Sequence, residues 1–142
     1  MNFIYLNSDN KDFNKYCKLL RETIIEENLA ENGGTLKSPK VIWNCTELLL
    51  AIELDTIIGF IATKIKDNKI FISQIAVKKS HQQQGIGKKL VNNLMEKYRN
   101  QDITCNVRKF NTSSQKMFES LRFIKERETK TSYWYRLPNK NQ

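Results

Sequence analysis

Residues 82–88 read Gln82-Gln83-Gln84-Gly85-Ile86-Gly87-Lys88 and lie between an apolar run and an amphipathic one. Glycines at 85 and 87 let the backbone approach a ligand closely and take conformations closed to other residues. A helix that starts there leaves N–H groups without intrahelical partners, and such groups cradle phosphate oxygens. From Asn68 to Met95 there is no Asp or Glu, while Lys69, Lys78, Lys79, Lys88 and Lys89 all fall inside. Exposed lysines in a first helical turn oppose the helix dipole by up to ~1 kcal/mol each. A bound anion reverses the sign of that effect. The same residues also describe a plain strand-to-helix turn with its lysines in water, and local physics leaves both readings open. Two phosphate motifs are excluded by spacing. Leu90 stands where GxGxxG needs its third glycine, and no Gly-Lys pair is followed by Ser or Thr as a P-loop requires.

The elements that must position this turn follow from periodicity. "FIYLN" predicts a first strand. Phe13, Cys17, Leu20, Ile24 and Ile25 then repeat at helical spacing, and Gly33-Gly34 ends that helix. Residues 35–46 predict a loop or a short irregular helix. Three β-branched runs follow, Leu48–Leu54, Ile57–Ile65 and Lys69–Val77, separated by Asp55-Thr56 and "KDNK", which predicts an antiparallel meander. Leu90, Val91, Leu94, Met95 and Tyr98 mark one face of a helix over Ile86–Arg99. "DITCNV" predicts a fifth strand, "NTSSQKMFESL" a short helix opened by cap-type residues, and "RFIKERE" and "SYWYRL" two closing strands. The expected fold class is α/β with a mixed, mostly antiparallel central sheet of about seven strands flanked by helices.

Composition bounds the function. The length predicts one domain over residues 1–142, and 39% hydrophobic with 27% charged residues is an ordinary globular balance. No apolar run has the ~18 residues a membrane span needs. The N-terminal residues lack a basic segment followed by an apolar one, so no signal peptide is expected. Cys17, Cys45 and Cys105 are odd in number and widely spaced, which argues against a disulfide framework or a zinc site. A cytoplasmic setting and no metal are therefore expected. The formal charge of +9 is uneven: residues 1–34 hold six acids and four bases, residues 35–142 nine acids and twenty bases. Such asymmetry suits a polyanionic partner, nucleic acid or a phosphate-bearing small molecule, or simply a solvated surface. The sequence carries no RNA- or DNA-binding signature.

The turn resembles motif A, [RQ]-x-x-G-x-[GA], of the GNAT superfamily of acyl-CoA-dependent N-acyltransferases. The similarity extends over residues 45–125. "IIGFIA" (Ile57–Ala62) resembles that family's third strand, and Asn111, Ser114, Phe118 and Phe123 follow its C-terminal pattern N-x-x-A-x-x-x-Y-x-x-x-G-F. The resemblance implies acetyl-CoA as acyl donor, its pyrophosphate on the backbone N–H groups of Gln83, Gln84, Gly85, Ile86, Gly87 and Lys88, with Gln82 opening the motif. It implies pantetheine paired along Ile75, Ala76 and Val77, a thioester carbonyl polarised by an N–H near Ile75 or Ala76, and contacts to Asn111, Ser114 and Phe118. Asn111 also suits a helix cap.

The implied reaction is direct attack by an amine in a ternary complex, with no covalent enzyme intermediate. Three positions depart from the pattern. Phe118 stands where a tyrosine commonly protonates the thiolate, and it is expected to pack against the coenzyme. Arg122 replaces a frequent glycine and is expected either to serve a phosphate or simply to be exposed. Gln74 replaces a frequent acid, and it can hold water but cannot act as base. No catalytic acid or base is therefore assigned. Tyr133 and Tyr135 are expected to pack, Glu53 and His81 to lie at the surface, and Cys105 to be a small buried residue. Glu26, Glu27 and Glu31 suggest a small cationic or polyamine-like acceptor, with a peptide or protein amine left open. A coenzyme-A-binding sensor without catalysis and a nucleic-acid-binding protein are the competing classes.

Overall fold

The computed structural model describes residues 1–25 and 45–139. Seven strands among the described residues form one sheet: β1 (Asn2–Asn7), β2 (Glu47–Glu53), β3 (Thr56–Lys66), β4 (Lys69–Val77), β5 (Asp102–Arg108), β6 (Ile124–Glu128) and β7 (Ser132–Leu137). Their spatial order is β1-β2-β3-β4-β5-β7-β6, and every neighbouring pair is antiparallel except β4 with β5. The α-helices among the described residues are α1 (Phe13–Leu20), α2 (Ile86–Lys97) and α3 (Thr112–Ser120). The element order is the one the periodicities predict. The expected Gly33-Gly34 stop, most of the loop at 35–46 and the acids Glu26, Glu27 and Glu31 lie outside the described residues.

Both faces of the sheet carry a packed layer, the first of them over β2, β3 and β4. On one, Phe13, Cys17, Leu20 and Ile24 bury against Leu48, Leu50, Phe60, Ala62 and Ala76. On the other, Ile86, Leu90, Val91 and Leu94 of α2 and Phe118 of α3 pack on Ile61, Ile72, Cys105 and Tyr135. Each fully buried aliphatic side chain contributes about 1.5–3 kcal/mol. Gly59 sets how closely α2 approaches. A Cβ there would stand 3.1 Å from Leu90 Cδ1 and 3.3 Å from the Ala76 carbonyl oxygen. The distal end of α2 is tied to the sheet by Glu47, which accepts from Lys97 Nζ at 2.8 Å and from the Tyr98 hydroxyl at 2.6 Å. Lys97 Nζ also lies 3.9 Å from the Tyr5 ring centroid. Burial and then the Glu47 carboxylate push the Tyr5 phenol up to about 12.

Four details differ from the expected boundaries. The β2–β3 turn is Leu54-Asp55, not Asp55-Thr56, because both residues take the positive φ (49° and 62°) that a two-residue hairpin turn requires. Asp67-Asn68 repeats that geometry between β3 and β4. Helix α2 stops at Lys97, where Tyr98 leaves the helical conformation. Helix α1 runs on as a π-helical segment, Arg21–Ile25, in which Thr23 Oγ1 donates to the Leu19 carbonyl at 2.7 Å. The last strand-forming surprise is β6, which starts at Ile124 instead of Arg122. Arg122 sits at φ 72°, and the Phe123 N–H bonds back to the Phe118 carbonyl at 3.0 Å, a Schellman closure of α3.

Candidate active site

The sheet opens between its two parallel strands. β4 and β5 pair from Lys69–Asp102 to Ile72–Cys105 and no further. On the β3 side Thr63 faces Ile72 while Ala62 faces Gln74, so Ser73 is the extra residue of a β-bulge. The bulge bends β4 away from β5 at the point where their pairing ends. Between them lies a cleft of about 110 Å³, lined by Ile72 to Ile75, Cys105 to Arg108, Asn111, Ser114 and Phe118.

Three polar atoms at this bulge have no hydrogen-bond partner among the described residues: Ser73 Oγ and both Oε1 and Nε2 of Gln74. Ser73 is 4% and Gln74 5% exposed. A buried orphan donor or acceptor costs about 1–3 kcal/mol, and such groups gather where a ligand completes them. Gln74 shares its face with Ala62 and Ala76, the face that α1 covers. Asn106 and Arg108 alternate with the buried Cys105 and Val107, and so face the same way from β5.

At the C-terminal end of β4 the chain makes a short 3₁₀ turn, Lys79–His81, and enters the glycine turn. Gln82 Nε2 donates to the Val77 carbonyl at 3.1 Å, fastening the turn to the strand. Gln83 and Gly85 take positive φ, 62° and 78°. Gly85 is the N-cap of α2, has no side-chain cap and opens on free space on its Cβ side. Gln84, Lys88 and Lys89 are exposed, and the first turn contains no acid. Ile86 is buried under the sheet, and Gly87 admits Met117 of α3, whose Sδ would lie 3.3 Å from a Cβ. The arrangement is a strand whose pairing with β5 ends at Ile72, running into a helix start that carries lysines and no acid.

A family model for the acetyltransferase (GNAT) family matches residues 15–123. The chain belongs to the GNAT acetyltransferase family. No curated protein matches it by sequence. Solved GNAT structures share its fold. The ribosomal-protein-S18-alanine N-acetyltransferase from Escherichia coli is 16% identical, with 96% of this chain and 94% of that one covered at a TM-score of 0.72. PaiA N-acetyltransferase from Thermoplasma acidophilum, in complex with coenzyme A, is 17% identical over 97% and 99% at 0.69. A GNAT acetyltransferase from Staphylococcus aureus is 17% identical over 95% and 98% at 0.74.

Against the GNAT pattern, the cleft brings Ile75, Asn111, Ser114 and Phe118 together, with Ala76 and Val77 leading on to the turn. Asn111 caps α3, its Oδ1 accepting from the Ser114 N–H at 3.1 Å. Phe118 is 1% exposed, edge-on to Phe123 at 5.0 Å and stacked near Tyr135 at 6.3 Å, so it carries core packing as well as a cleft wall. Tyr135 donates to Glu119 Oε2 at 2.7 Å. Burial and then that bond push its phenol up, which makes it a poor proton donor. Tyr133 lies half-buried with Lys125 Nζ 3.8 Å from its ring centroid. Glu53 and His81 meet each other at 3.5 Å, away from the cleft lining. Arg122 is exposed as the positive-φ closing residue of α3. Cys105 is buried, and Cys17 and Cys45 have thiols that burial pushes up to about 11 and about 12, unreactive values.

Sequence reasoning missed Ser73, Asn106 and Arg108 as cleft residues. The alternation of "CNVR" carried a signal for the last two; nothing local marks Ser73 as a bulge.

Proposed function

We propose that the chain is an acetyl-CoA-dependent N-acetyltransferase that acetylates a primary amine by direct attack in a ternary complex. The observation that carries this reading is the divergence of β4 and β5 at Ser73, with three buried orphan polar atoms beside it and the glycine turn at the end of the same strand. The residues fit acetyl-CoA. Ile75, Ala76 and Val77 offer backbone to the amides of pantetheine, and Gln83 to Lys88 offer N–H groups and lysine charge to the pyrophosphate. Asn111, Ser114 and Phe118 border the arm from α3. The relative bound to coenzyme A and the family membership support the same donor.

The amine nitrogen bonds the carbonyl carbon as the C–S bond breaks. The nitrogen loses a proton and the departing thiolate gains one. An N–H at Ile75 or Ala76 polarises the carbonyl, and the cleft supplies alignment. Gln74 orients the amine or a water through its unpartnered amide and takes no proton itself. Water carries the protons, since Phe118 has no hydroxyl and Tyr135 is engaged by Glu119. The chemistry needs no metal. We place this activity in one domain over residues 1–142, in the cytoplasm; no helix among the described residues is long and apolar enough to cross a membrane.

A second reading is a coenzyme A sensor without catalysis, favoured by Phe118 and Gln74 standing where the family commonly has a tyrosine and an acid. Thermal shift separates both from nucleic-acid binding. Acetyl-CoA should stabilise the protein and an oligonucleotide of similar charge should not; no shift with acetyl-CoA overturns both coenzyme readings. Thiol release across an amine panel then marks the enzyme, and silence marks the sensor.

A further inference from the structure

We propose that the acceptor is a small amine carrying a carboxylate, an amino acid, and that Arg108 at the mouth of the cleft holds that carboxylate. The inference rests on the N-acetyltransferase reading and names its substrate class.

Arg108 ends β5, is exposed and lines the cleft. Its guanidinium makes no ion pair or hydrogen bond among the described residues, whereas the other arginine on a neighbouring strand, Arg136, is engaged by Asp102 and Glu126. Among the described residues, no Asp or Glu lines the cleft. Asn106, one step deeper on the same face, lies opposite Trp134, over whose ring the Arg127 guanidinium stacks at 4.5 Å. The open face beside the cleft therefore presents two guanidinium groups, and its inner end presents the unpartnered Gln74 amide.

These charges decide between acceptor classes. A polyamine carries only cations, and a free guanidinium at the entrance repels them. A zwitterion suits both ends. Its carboxylate takes the planar fork of Arg108 with paired, charge-assisted hydrogen bonds. Its amine, once neutral, points inward to Gln74 Oε1 and the thioester. A neutral amide at position 74 fits this better than a carboxylate, which would form an ion pair with the ammonium and keep it protonated. The acids Glu26, Glu27 and Glu31, which suggest a cationic acceptor, lie outside the described residues.

The test compares amino acids with the amines left when their carboxylate is removed. Thiol release from acetyl-CoA is followed with lysine against 1,5-diaminopentane, phenylalanine against 2-phenylethylamine, spermidine and an alanine-ended peptide. The expected result is at least about tenfold higher kcat/KM for the amino acid of a pair. Arg108→Gln should raise the acceptor KM about tenfold, leave the KM for acetyl-CoA unchanged and erase the preference, while Arg108→Lys restores part of it. Preference for the diamines, spermidine or the peptide overturns the inference and leaves the acetyltransferase reading standing. A raised KM for acetyl-CoA in Arg108→Gln also overturns it, placing the guanidinium on a coenzyme phosphate. Silence across the whole panel overturns the enzyme reading and this inference together.

Discussion

Ile72 and Cys105 form the last pair between β4 and β5, and the residue after Ile72 is already the extra one of a bulge. One backbone irregularity thus ends a parallel ladder, opens a cleft and leaves the Gln74 amide without partners among the described residues. The unmet hydrogen bonds cost stability at that point, and in the proposed function a bound ligand completes them.

Gln74→Met keeps side-chain length and removes two unsatisfied polar atoms. It should stabilise the free protein by about 1–3 kcal/mol while lowering transfer. Paired denaturant titration and thiol-release assays check this. A destabilised variant with full turnover would sink the assignment of Gln74 to the site.

Gly85 combines φ 78° with open space beyond its Cβ. Gly85→Glu places a carboxylate where the pyrophosphate is proposed to lie, against the N–H groups that would bind it. Circular dichroism should show a folded protein destabilised by about 1–2 kcal/mol from left-handed strain. Calorimetry should show coenzyme A binding lost; wild-type affinity would refute the placement.

Arg122 occupies a left-handed position that glycine takes at little cost. Arg122→Gly should stabilise by about 0.5–1 kcal/mol, read as a rise in the denaturation midpoint. Coenzyme affinity should not change, because the exposed Arg122 lines no part of the cleft.

Asp102 accepts from the Asn139 N–H and from Arg136 Nη1, both at 3.0 Å. Burial raises its carboxyl, but these bonds outweigh it and hold the group below its ordinary 3.8. A depressed folded value means stability that is complete above the unfolded value and lost as pH falls through the folded one. Asp102→Asn should lower Tm at pH 7 by a few degrees and narrow the difference in Tm between pH 7 and pH 3. An unchanged difference would contradict the bonding.

Local sequence determined much of this protein. Apolar spacing of 3.6 residues marked α2, because a face that must be buried repeats with the period of its own backbone; β-branched runs marked the three central strands, and cap-type residues marked α3. Gly85 and Gly87 marked the turn, because few other residues tolerate that path. Even Asn111 declared itself as a cap. Tertiary structure alone decided the rest. That Ser73 is the extra residue depends on which residues of β3 oppose Ile72 and Gln74, and register is a property of two strands together. That Arg108 shares a cleft with Gln74 depends on two parallel strands diverging, although 34 positions separate them in the chain. The bond from Tyr135 to Glu119, the contact of Glu53 with His81 and the grip of Glu47 on Lys97 and Tyr98 join positions with no periodic relation. Periodicity tells each residue which face it occupies. Only the folded chain tells it whom it meets there.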